Sequence, residues 1–156
     1  MTPQRFHALV APIARHVSGR ALDATLEVEL NRAFPPDSEP FRAIERACHA
    51  AIAQGWICRE GDAKRRFGRI FEPAEALAGF SVDVVDISDL VGNHHVHPTG
   101  EIDMIMPVSP SAKFDGRGRG WLVYPPGSGH RPTVSGGRAL ILYLLPQGRI
   151  EWSTGG

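Results

Sequence analysis

Apolar positions recur every three to four residues over the first third of the chain, and every second residue after that. Phe6, Leu9, Val10, Ile13 and Val17 predict a helix over 3–17, which Gly19 can end. Leu22, Leu26, Leu30 and Phe34 predict a second helix, with Asp23 near its start and Pro35-Pro36 stopping it. Asp37-Ser38-Glu39-Pro40 opens a third, running to about Gln54, with Phe41, Ile44, Ala47, Cys48, Ala51 and Ile52 on one side and Gly55 as its cap. Beyond Gly55 the texture is extended. Trp56 to Arg59 and Arg66 to Glu72 read as strands joined by the turn Glu60-Gly61-Asp62. Phe80 to Ile87, Glu101 to Val108, Gly120 to Tyr124, Ala139 to Leu145 and Arg149 to Trp152 read as further strands. Gly116 to Gly120 and Ser135-Gly136-Gly137 read as turns, and Pro146-Gln147-Gly148 as a hairpin loop.

The fold class is therefore α+β and mainly β. A helical segment over 1–55 precedes a small antiparallel barrel or sandwich over 56–156. The helices are expected to pack on the β unit as a lid or a dimer element. At 156 residues the chain suits one domain with a real core, and 42% hydrophobic content excludes a disordered polar chain. Seventeen acidic residues balance seventeen basic ones, so no electrostatic attraction to nucleic acid or to an anionic membrane is expected. Lys64-Arg65-Arg66 reads as a solvated turn. Cys48 and Cys58 read as reduced, partly buried thiols, Cys58 within a strand. With no signal sequence and no long apolar run in the sequence, a cytoplasmic location is expected.

The chemistry concentrates in two short stretches. His94-His95-Val96-His97-Pro98-Thr99-Gly100-Glu101 is followed some thirty residues later by Pro125-Pro126-Gly127-Ser128-Gly129-His130. In a strand, residues two apart share a face, so His95 and His97 point together and His94 points away. Glu101 and Asp103 have the same parity. Gly127 allows a tight turn from which His130 swings back. Three imidazoles and one carboxylate suit one divalent transition metal: Fe(II), Mn(II), Ni(II), Cu(II) or Zn(II). His7, His16 and His49 lie on the helices and read as surface or capping residues.

His-x-His-x3-Glu followed by Pro-x-Gly-x2-His resembles the cupin motif pair, which implies His95, His97, Glu101 and His130 as metal ligands and a homodimer. The pattern departs from the usual one at Val108 and Val134, which stand where a glycine and an asparagine are typical, and in the position of the glycine before Pro125. A narrower resemblance spans nearly the whole chain. Phe41 to Cys48, Arg66 to Arg69, Ser81 to Asp86, His97 to Glu101, Tyr124 to Ser128, His130 to Gly137 and Leu142 to Pro146 are similar to the bacterial 4-hydroxylaminobenzoate lyases. That resemblance implies a metal-dependent lyase that converts 4-hydroxylaminobenzoate to 3,4-dihydroxybenzoate (protocatechuate) with release of ammonia, in nitroaromatic degradation.

Such a reaction needs an acid for the leaving oxygen and a base for water, for which Glu101 and Asp103 are the candidates. Tyr124 and Tyr143 read as core aromatics with a hydroxyl at the rim, and Tyr143 as a substrate contact. A small aromatic acid also needs a cation. Phe67, Arg69 and Phe71 alternate on one predicted strand face, which makes Arg69 the first candidate and Arg131 the second. Two other readings use the same ligands: a cupin dioxygenase or isomerase acting on another small aromatic or organic acid, and a non-catalytic small-ligand-binding cupin. The helices are too short, and too poor in basic residues, to form a DNA-reading output domain.

Overall fold

The computed structural model describes residues 1–153. Three helices lead: α1 (Pro3–Val17), α2 (Ala24–Ala33) and α3 (Glu39–Gln54). Their ends follow from side-chain chemistry. Thr2 accepts a hydrogen bond from the Arg5 amide and Asp23 from the Leu26 amide, which satisfies N-terminal donors of α1 and α2. Gly55, at φ 81°, closes α3 in the left-handed conformation.

Ten strands follow: β1 (Glu60–Gly61), β2 (Arg65–Phe71), β3 (Phe80–Val91), β4 (His95–His97), β5 (Glu101–Pro107), β6 (Lys113–Phe114), β7 (Gly120–Tyr124), β8 (Ser128–His130), β9 (Thr133–Pro146) and β10 (Glu151–Trp152). They pair as two antiparallel sheets. The large sheet runs β1-β2-β3-β9-β5-β7, with β6 added to β9; the small one runs β10-β4-β8. Mainly antiparallel β after three helices is the class that the pattern predicts, and the ladders form two sheets rather than one sheet closed on itself.

One face of the large sheet meets the helices. Val82, Val84, Ile102, Met104, Met106, Leu140, Leu142 and Leu144 pack there with Phe6, Val10, Ile13, Leu26, Leu30, Phe41 and Ile44. Each such side chain contributes about 1.5–3 kcal/mol on burial, so the helices are welded to the sheet. The helices thus cover the face away from the histidine-bearing strands and do not form a lid over them. The opposite face carries a second cluster, including Val85, Ile87, Ile105, Phe114, Ile141 and Leu145.

Several details differ from the sequence reading. Arg65 and Arg66, expected in a solvated turn, open β2, and Glu60-Gly61, expected in a turn, form β1. Residues 56–59 form no strand, and Cys58 sits at φ 54° in a bend, where its buried thiol donates to the Val84 carbonyl at 3.4 Å. Ser135-Gly136-Gly137 is not a turn between elements but a kink inside β9, with φ 75° and 127° at the two glycines. A Cβ on Gly136 would lie 2.5 Å from the Ser111 carbonyl oxygen, so the strand can pass there only without a side chain. Short strands β6 and β8 escaped the pattern because two or three residues give no periodicity. Finally, a bulge between Arg69 and Phe71 shifts the β2–β3 register. Phe71 therefore leaves the face it was expected to share with Phe67 and Arg69, and packs on the helix side against Phe6 at 6.2 Å and His7 at 5.1 Å.

Candidate metal centre and adjoining cavity

Two connections carry the chain between the sheets and set the site. Pro98-Thr99-Gly100 takes it from β4 in the small sheet to β5 in the large one. Gly100 has φ 89°, and a Cβ there would lie 2.8 Å from the Tyr124 carbonyl oxygen. Pro125-Pro126-Gly127 takes it back from β7 to β8. The Gly127 amide donates to the His97 carbonyl at 2.8 Å, which ties the two connections together. Within the small sheet His95 lies opposite both His130 and Trp152, so these three side chains form one row.

The four sequence-predicted ligands converge. Each of His95, His97, Glu101 and His130 offers an atom within 4.8 Å of the others. His95 Nε2 is 2.7 Å from His97 Nε2 and 3.0 Å from His130 Nε2. Glu101 Oε2 is 3.2 Å from His97 Nε2 and 3.8 Å from His130 Nε2. Ligand atoms about 2.1 Å from one ion and at right angles to each other lie about 3 Å apart, so this spacing fits a shared centre. Glu101 is fully buried, yet neither carboxylate oxygen has a hydrogen-bond partner among the described residues. An anion left so is costly unless a cation meets it. Burial and mutual repulsion hold His95 and His97 down to pKa values of about 4 and about 3, which keeps both rings neutral with lone pairs free. Three imidazoles, one carboxylate and no nearby thiol match a divalent first-row metal. His94 lies outside the ring, its Nδ1 bonded to Ser153 Oγ at 2.6 Å.

Asp115 escaped the sequence reading. Its carboxylate accepts from His130 Nδ1, from the Tyr124 hydroxyl and from the Thr133 amide at 2.9 Å. Burial pulls its pKa up, but these bonds outweigh it and hold Asp115 below the usual carboxylate range. With Nδ1 so engaged, His130 presents Nε2 to the ring, the usual support for a metal-bound imidazole. In the sequence Asp115 is marked only by its place just before the turn expected over Gly116 to Gly120.

Asp103 is also fully buried and without hydrogen-bond partners. Desolvation and the neighbouring Glu101 charge raise its pKa well above the ordinary value, and burial raises that of Glu101 too. Asp103 has no surface on the cavity described next. It heads a cross-strand row on the large sheet, Asp103–Tyr143–Asp83–Arg69, each residue directly opposite the next.

Tyr143, Asp83 and Arg69 of that row border a cavity of about 260 Å³. His95 and Trp152 wall it from the small sheet, and Arg65, Phe67, Arg69, Asp83, Val85, Ile87, Tyr143 and Leu145 from the large one. Arg69 lines it as predicted, but its guanidinium is engaged: Nε donates to Asp83 at 2.9 Å, Nη2 to the Gly148 carbonyl at 3.1 Å, and Nη1 faces Glu72 at 3.4 Å. Tyr143 lines it as well. Arg131 does not; it is exposed and borders a separate depression with Asn93, His94, Trp152 and Ser153. The chain passes from His130 to Arg131 at the end of β8, so the two side chains leave on different sides. Among the described residues no helix is long and apolar enough to cross a membrane.

The model of the family described as PnbB, 4-hydroxylaminobenzoate lyase, matches residues 8–152. A 4-hydroxylaminobenzoate lyase of Nocardioides sp. (strain LMS-CY) is 33% identical over 160 residues, covering 97% of this chain and 95% of the relative. One of Pseudomonas putida is 30% identical over 154 residues, covering 87% of each. Among solved structures, an RmlC-like cupin protein of Ralstonia eutropha JMP134 is similar at 11% identity, with a TM-score of 0.46 over 60% of this chain and 62% of that one.

Proposed function

Starting from the fact that this chain belongs to the PnbB 4-hydroxylaminobenzoate lyase family and is a lyase-like enzyme, we propose that it converts 4-hydroxylaminobenzoate and water to 3,4-dihydroxybenzoate and ammonia with the help of one divalent transition metal. The observation that carries this reading is a shared wall: His95 belongs both to the four-ligand ring and to the cavity. A small aromatic acid seated in the cavity therefore meets the centre directly.

The reaction is redox-neutral overall. The N–O bond breaks and its oxygen leaves as water. A second water adds at the ring carbon beside the nitrogen, and a third replaces the nitrogen by hydrolysis of the imine, so one water is consumed in net. A divalent ion held by His95, His97, Glu101 and His130 would supply Lewis acidity and a hydroxide at neutral pH. The protein supplies the rest. Phe67, Val85, Ile87, Leu145 and Trp152 give the aromatic ring an apolar slot. Tyr143 stays protonated, because burial and the Glu101 carboxylate raise its pKa, and donates a hydrogen bond to the hydroxylamino oxygen. Asp103, sealed behind Tyr143, is a positioning residue: kept protonated by burial, it places no second charge beside the Glu101 carboxylate.

The test combines elemental analysis with an anaerobic assay. Purified protein carrying one transition metal per chain should release ammonia and 3,4-dihydroxybenzoate in equal amounts without oxygen. A strict need for oxygen, or no ammonia from metal-loaded protein, would sink the proposal.

A further inference from the structure

We infer that Arg65 is the residue that grips the substrate carboxylate. This deepens the function proposed above and rests on it for the identity of the substrate. Two guanidinium groups line the cavity, Arg65 and Arg69. Arg69 is already neutralised by Asp83 and Glu72, and its remaining fork donates to the Gly148 carbonyl. A substrate carboxylate placed there would face the Asp83 carboxylate and compete with it. Arg65 has no carboxylate within ion-pairing distance among the described residues.

Arg65 is also held in position for this task. Its Cζ lies 4.7 Å from the centre of the Phe67 ring and 5.7 Å from that of Trp152. Stacking of this kind fixes the guanidinium plane and leaves its edge, where the N–H donors are, open for a bidentate partner. The backbone is fixed as well. The Arg65 amide donates to Asp62 Oδ1 at 3.2 Å, and its carbonyl accepts from the Asp62 amide at 2.9 Å. Gly61, at φ 98°, makes this turn possible; a Cβ there would fall 2.0 Å from the Arg65 carbonyl oxygen.

The placement agrees with the substrate's shape. Trp152 borders the cavity beside both groups, its ring 5.7 Å from the Arg65 Cζ and 4.8 Å from the His95 ring, centre to centre. A cation and a metal-ligand histidine thus share one aromatic wall. A para-substituted benzoate carries its carboxylate and its hydroxylamino group at opposite ends of one ring. With the carboxylate at Arg65, the nitrogen end points at His95.

The test is calorimetric titration of the full chain with 4-aminobenzoate and its neutral isostere 4-aminobenzamide, beside kinetics on 4-hydroxylaminobenzoate. Wild-type protein should bind the acid more tightly than the amide. Arg65→Gln should weaken acid binding by about 10- to 100-fold and leave the amide within about twofold, since a lost charged hydrogen-bond pair has that size. The KM for 4-hydroxylaminobenzoate should rise alike, with kcat little changed, and Arg65→Lys should recover part of the loss. Equal wild-type affinity for acid and amide overturns the inference without any variant, and so does unchanged acid binding in Arg65→Gln. The two proposals fail separately. Arg65-dependent acid binding without ammonia release removes the lyase reading and keeps the anchor. Ammonia release with a KM indifferent to Arg65→Gln removes the anchor alone.

Discussion

The two faces of the large sheet are built from the same strands and are buried alike, yet they treat charge in opposite ways. On the helix side the buried carboxylate is Asp86, and it is fully answered: Arg138 Nε and Nη2 donate to it at 2.8 and 2.9 Å, and Arg66 at 2.6 Å. These arginines outweigh the cost of burial and hold its pKa below the usual range. On the cavity side Glu101 and Asp103 are buried just as deeply and nothing among the described residues answers them. A paired buried charge holds structure, whereas an unpaired one marks a place where something else must arrive.

The sharpest way to break this contrast is His97→Ala. It opens the ligand ring and should remove bound metal and lower ammonia release by at least about 100-fold, while the thermal midpoint of metal-free protein changes little. Full metal content in that variant, by elemental analysis, would mean the ring is not a metal centre. Asp86→Ala should do the reverse. Stability should fall by roughly 3 kcal/mol in denaturant titration, at the low end for a broken buried pair because both arginines reach solvent. Activity per folded molecule should persist.

Asp115→Asn probes the support of His130, and should weaken metal affinity by about 10- to 100-fold in a chelator competition. A value equal to wild type would make the His130–Asp115 bond incidental. The smallest effect is on pH dependence without metal. His95 and His97 resist protonation when folded, so their contribution is full above about pH 6.5 and fades as the pH drops toward about 4 and about 3. The raised Glu101 and Asp103 act oppositely, costing stability as the pH rises above their unfolded values. Asp103→Asn should therefore flatten the alkaline side of the thermal-midpoint profile and leave the acid side. The same slopes as wild type would disprove the assignment.

The helix side was legible in the sequence because a 3.6-residue rhythm needs no knowledge of partners, and Phe6 to Val17 and Phe41 to Ala51 fall where it places them. The four-ligand ring was legible because period two orients His95 and His97, and glycine turns return the chain to them. What stayed hidden depends on tertiary events. Asp115 becomes a partner of His130 only when β6 folds beside β9. Phe71 changes faces through one extra residue, which no alternation reveals. The true run on the cavity face of β2 is Arg65, Phe67 and Arg69, one step earlier than the run the sequence suggests. So the pattern of a phenylalanine on each side of an arginine is in fact an arginine on each side of a phenylalanine.

Three of the four ligands stand on the small sheet and the fourth, Glu101, on the large one. Occupancy of that ring would thus act as a rivet through two plates. The two short strands that carry the histidines, and β10 beside them, have few ladder bonds of their own. A metal held there would tie these strands to the large sheet through Glu101.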